Sequence, residues 1–99
     1  MIVFEWDEEK ARANLAEHGV SFEEARLVFF DQNSVSEIDE RYDYGEERWQ
    51  TIGMLDERCM LLYVAHTTSE NGTVVIRIIS ARRANPKERR RYGNRKISG

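Results

Sequence analysis

Arginines set the chemistry this chain could perform. Arg77 interrupts an apolar run, Val74-Val75-Ile76-Arg77-Ile78-Ile79, and Arg82 and Arg83 follow closely. A guanidinium among β-branched neighbours must be paired or must face a ligand, and its planar fork suits two oxygens of one phosphate. In an extended strand the Arg77 side chain shares a face with Val75 and Ile79, opposite Ile76 and Ile78. Cations continue through Lys87 and Arg89-Arg90-Arg91, so residues 77–99 hold nine basic side chains and one acid, Glu88. Residues 1–76 carry seventeen acidic and six basic groups, so the net charge of −3 conceals a chain polarised between −11 and +8. A local positive edge attracts phosphate even where the whole chain is acidic. A solvated charged tail is the plainer alternative.

Two further groups could take part. His66 ends an apolar run, where an imidazole serves as acid or base or is simply solvated. Arg48 could stand as a rim cation or in a cross-strand salt bridge. His18, His66 and Cys59 lack ligand-like spacing, so no metal site and no cofactor are expected. Cys59 lies inside an apolar run and reads as a reduced core cysteine.

Elements able to position these groups can be read along the chain. Its 99 residues suffice for one domain with a single core. No apolar run matches a membrane span and the start, MIVFEWDEEK, does not resemble a signal peptide, so a cytoplasmic protein is expected. Phe4-Glu5-Trp6 suggests a short edge strand. Asp7-Glu8-Glu9 reads as an N-cap and acidic first turn of a helix over Glu8–Glu17, stopped by Gly19. Ser21-Phe22-Glu23-Glu24 opens a second helix with a capping box, burying Phe22, Ala25, Val28 and Phe29.

From Asn33 the period changes to that of strands. Ser34–Asp39, Glu46–Met54 and Cys59–His66 read as strands, with Leu55–Arg58 as a turn and a tyrosine-rich connection, Arg41–Gly45, before Glu46. Asn71-Gly72 marks a hairpin into the Arg77 strand, which turns through Ser80–Arg83 into a basic helix capped by Asn85, Pro86 and Glu88. Short links imply an antiparallel meander of three to five strands. The expectation is an α+β domain over residues 1–99: two N-terminal helices, this sheet, a short basic C-terminal helix, and a frayed tail over residues 93–99.

The segments Phe4-Glu5-Trp6-Asp7-Glu8, Asn14, His18-Gly19-Val20-Ser21-Phe22-Glu23-Glu24-Ala25, Glu47-Arg48, Ile52-Gly53 and above all Arg77-Ile78-Ile79-Ser80-Ala81-Arg82 resemble the BrnT toxins. These are ribonuclease components of bacterial type II toxin–antitoxin pairs. The similarity runs from about Phe4 to Tyr92. One departure is Glu17, where the family often has a lysine before its His-Gly pair. The resemblance implies a RelE-like (barnase-like) fold and metal-independent endoribonuclease activity. It also implies an RNA substrate and a cognate, BrnA-like antitoxin through which alone the pair would meet DNA. A member that has lost its chemistry and acts only through its antitoxin is the competing expectation.

Metal-free RNA cleavage needs a group to activate the 2′-hydroxyl, cations for the phosphorane and an acid for the leaving oxygen. Arg77 and Arg82 are the first choices as cations, with a structural ion pair to a residue such as Glu47 the alternative for Arg77. Lys10 matches a lysine of the family and joins the catalytic candidates, as do His66 and Tyr92. Tyr92 could donate a proton, stack on a base, or only pack the last helix. Arg48, Arg83, Lys87 and Arg90 are candidate RNA-binding cations. An antitoxin is expected to cover the basic edge.

Overall fold

The computed structural model describes residues 1–98, with side chains described through Asn94. Strand β1 (Ile2–Glu5) leads into helix α1 (Glu8–His18), and the Asp7 carboxylate accepts hydrogen bonds from the N–H groups of Glu9 and Lys10. Gly19 ends α1 at φ 70°, left-handed backbone that glycine adopts without steric cost. Ser21 and Glu24 form the expected capping box. The helix they start is shorter than its apolar stripe suggests. After one turn, α2 (Phe22–Ala25) tightens into a 3₁₀ segment, Arg26–Phe30.

Four longer elements follow β2 (Val35–Ile38): β3 (Trp49–Leu55), β4 (Met60–Glu70), β5 (Val74–Arg83) and helix α3 (Pro86–Ser98). The strands form one sheet in the order β1-β5-β4-β3-β2. Strands β2 to β5 are the expected antiparallel meander, but β1 pairs with β5 in parallel, Phe4 opposite Ile76. The sheet is therefore mixed. Link lengths constrain the direction of consecutive strands only, and β1 and β5 stand at opposite ends of the chain.

Several boundaries also move. Residues Ser80–Arg83 are strand rather than turn, and β4 continues four residues beyond His66. Strand β3 starts at Trp49, leaving residues 39–48 as a loop. Cys59 is exposed at φ 49° after the Asp56–Arg58 turn, so it is not a core cysteine. Helix α3 continues through most of the segment expected as a tail, and Gly99 lies outside the described residues.

Both faces of the sheet are covered. On one, Val20, Phe22, Ala25 and Val28 pack on Leu62, Val64, Ile76, Ile78 and Ala81. The 3₁₀ segment approaches β3 so closely that a Cβ on Gly53 would lie 2.8 Å from both the Cβ and the carbonyl oxygen of Val28. Glycine alone fits there. On the other face Tyr92 and Ala84 pack on Ile52 and Tyr63. Asn14, buried on α1, locks the first layer in place. Its amide donates to the carbonyls of Val20 (3.0 Å) and Ala81 (2.8 Å), and its oxygen accepts from the Ala81 N–H at 3.0 Å. It thus pairs β5 beyond the point where β1 ends.

Candidate active site

Two arginines five positions apart on a regular strand point to opposite faces. Here the pairing steps from Ala65–Ser80 to His66–Ile78, so Ile79 is one residue too many on β5. This β-bulge resets the alternation. Arg77, opposite Ile76 and Ile78, and Arg82, over Tyr63, therefore share the face that carries α3.

Lys10, Arg48 and Arg77 line a cavity of about 250 Å³ together with Asp7, Glu46, Ile78 and Ile79. Arg77 Nη2 donates to both Glu46 carboxylate oxygens at 2.9 Å, and Arg48 Nε donates to Oε2 at 3.2 Å. The ion pair given as the alternative for Arg77, with a residue such as Glu47, is present, but its carboxylate is that of Glu46. Glu47 accepts instead from the Trp49 indole. Partial desolvation raises the Glu46 carboxyl, but the Arg48 hydrogen bond and the nearby Arg77 charge outweigh it and hold the group below its ordinary range. Arg48 is not in a cross-strand pair. Its guanidinium lies 4.4 Å from the centre of the Tyr44 ring.

A chain of polar contacts leads from this cavity to Arg82. The Tyr44 hydroxyl donates to Asp39 at 2.9 Å, and Asp39, buried, accepts two side-chain bonds from Arg41 at 2.9 Å. The Arg41 bonds hold the Asp39 carboxyl far below the usual range. Arg41 also donates to the Tyr63 hydroxyl at 3.3 Å, and the Arg82 guanidinium lies 4.1 Å from the centre of the Tyr63 ring. Arg82 ends the chain in a two-pronged pair with Glu88 at 2.8 and 2.9 Å. Glu88 and Asn85 also complete the expected capping box of α3. Arg82 is thus a partly buried strut between β5 and α3 rather than an exposed turn cation.

The remaining candidates lie apart from the cavity. Arg83 ends β5, while Lys87 and Arg90 are exposed on α3, and none of the three lines it. Arg91 pairs with Glu37 of β2, so part of the basic run is neutralised within the fold. Tyr92 is buried on the inner side of α3 and its hydroxyl donates to Asp31 at 2.7 Å; burial, with that hydrogen bond, raises its pKa to about 12.

His66 sits on the opposite face from Arg77. It is 3% exposed, edge-on to Phe29 at 4.8 Å, and its Nε2 shares a 2.7 Å hydrogen bond with Thr51, which in turn bonds Ser36. Burial lowers its pKa from 6.5 to about 4. The folded state therefore favours neutral imidazole, and the resulting stability is present above pH 6.5 and lost as pH falls through 4. The predicted loss is about 3 kcal/mol. Denaturant unfolding at pH 7 and pH 4.5 should show a smaller difference for His66→Gln than for the unsubstituted protein. Equal differences would mean that His66 titrates normally.

Sequence reasoning missed Glu46, Asp39, Arg41 and Tyr44. Their only signal is the density of charge and tyrosine between β2 and β3, which also describes an ordinary polar loop. Asn14 was noted only as part of a shared motif. A polar residue on the weakly apolar face of α1 could have marked it as a buried bridge.

The fold and cavity together describe a small α+β protein with a cationic, carboxylate-bearing site beside β5 of a mixed sheet. The family described as the ribonuclease toxin, BrnT, of type II toxin–antitoxin system matches residues 6–88, and the chain belongs to it. Among solved structures it is similar to the ribonuclease toxin BrnT of Brucella abortus, with a TM-score of 0.56 and 22% identity over 86% of this chain and 97% of that one. No curated protein matches the chain in sequence. A type II toxin family implies an antitoxin partner.

Proposed function

We propose that the protein is a metal-independent endoribonuclease acting in the cytoplasm, where a cognate BrnA-like antitoxin neutralises it and supplies any contact with DNA. The observation that carries this reading is the convergence of Lys10, Arg48, Arg77 and Glu46 on one cavity, where Glu46 pairs with both arginines. Helical segments ahead of an antiparallel meander and a basic helix after it support a RelE-like description of the fold.

The chemistry follows from what lines the cavity. Arg77 and Arg48 hold the non-bridging oxygens of the scissile phosphate and stabilise the charge that develops there. Glu46, ionised at neutral pH, accepts the 2′-hydroxyl proton as that oxygen attacks phosphorus. The bond to the 5′-oxygen breaks, and that oxygen takes a proton from the Lys10 ammonium. The products are a 2′,3′-cyclic phosphate and a 5′-hydroxyl. Arg82 holds β5 and α3 in register, while Arg83, Lys87 and Arg90 add an outer basic surface for flanking phosphates or an acidic partner. His66 and Tyr92 act in packing.

Among the described residues no three His, Cys, Asp or Glu side chains group as metal ligands, and the route above needs none. Cleavage of an RNA oligonucleotide in excess EDTA should therefore proceed and leave cyclic-phosphate ends. A 2′-deoxy substitution at the cut site should block it. Loss of cleavage on chelation with recovery in magnesium would overturn the mechanism.

A further inference from the structure

We propose that Tyr42 is a stacking platform for a nucleobase next to the scissile phosphate. The inference deepens the ribonuclease reading and rests on it. Tyr42 is 68% exposed on loop 39–48, although the loop around it is tightly held. Asp39 accepts from Arg41 and Tyr44, and the Gly45 N–H donates to Asp43 at 3.0 Å. The Tyr42 ring meets Tyr44 edge-on at 5.8 Å, and the Arg41 guanidinium lies 5.9 Å from its centre.

Position gives this exposed ring its meaning. Tyr44 carries Arg48, a cavity cation, on its ring. Tyr42 is therefore two contacts from the proposed phosphate site and on the same loop as Glu46 and Arg48, which line it. Single-stranded RNA binds through this combination of cations on the backbone and an aromatic ring beneath an unstacked base. A cation beside the ring strengthens such stacking. Tyr42 buries little of the protein's own surface, so its replacement should leave the fold and the Arg48 geometry intact.

The test uses the full protein and two probes. The first is a fluorescent RNA oligonucleotide, 2′-O-methylated so that it binds without being cut. The second is the same RNA with abasic sites flanking the scissile position. For the first probe Tyr42→Ala should weaken binding about tenfold, while Tyr42→Phe and Tyr42→Trp should bind as the unsubstituted protein does. For the abasic probe Tyr42→Ala should have no effect. With cleavable RNA, Tyr42→Ala should raise KM and leave kcat within about twofold. Equal binding of the first probe by Tyr42→Ala and the unsubstituted protein would overturn the proposal while the ribonuclease reading stands. Unchanged RNA binding with weakened antitoxin binding would place Tyr42 in the partner interface and also overturn it. If no RNA binds at all, both readings fall.

Discussion

Arg77→Ala is expected to lower the rate of RNA cleavage by about two to three orders of magnitude, the usual cost of removing one preorganised donor to a charged transition state. The protein should stay folded, because Arg77 is half exposed and its pair with Glu46 lies near solvent, where such pairs contribute little stability. Glu46 keeps Arg48 as a partner in the variant, so the cavity is altered but not collapsed. Circular dichroism should be unchanged while cleavage of an oligonucleotide falls. Arg82→Ala should behave differently. It removes the partner of Glu88, which is nearly buried at the start of α3, and should cost about 2 kcal/mol in urea unfolding after allowance for partial exposure. A folded Arg77→Ala protein that cuts RNA at the original rate would remove Arg77 from the site. An Arg82→Ala protein as stable as its parent would deny Arg82 the role of strut.

Asn14→Ala should destabilise the protein more than Arg82→Ala, by about 3 kcal/mol or more, because it leaves the N–H and carbonyl of Ala81 buried without their side-chain partner. That is a large share of the stability of a domain this size. The damage should spread to the cavity, since α1 carries Lys10 and is hydrogen-bonded to β5 through this side chain. Urea unfolding gives the measurement, and Asn14→Asp provides a control that keeps one acceptor. A loss below about 1 kcal/mol would mean that water replaces the amide at little cost.

Local signals carried far in this chain. Asp7, Gly19, the Ser21–Glu24 box and the Asn85–Glu88 box are each decided by residues within a turn of one another, and each occurs as read. The alternation around Arg77 put its side chain on the correct face for the same reason. What escaped was non-local. Whether β1 runs parallel to β5, and which carboxylate meets Arg77, depends on how distant segments are brought together. His66 is instructive, because the apolar run before it gives no hint that β4 continues and seals the imidazole under Phe29. The loop with Glu46 and Tyr44 gave composition without geometry, so the anionic half of the site stayed hidden.

The extra residue at Ile79 gives β5 a change of parity. Before it, odd-numbered side chains face the side that carries α3, and after it even-numbered ones do. Arg77 and Arg82 can therefore be tied to one network only while that count holds. Deleting a single residue there would leave both arginines in the sequence and turn one of them into the core. The motif is a matter of numbering as much as of residue type, and substitutions within Ile78–Ala81 are far safer for this protein than a change of length.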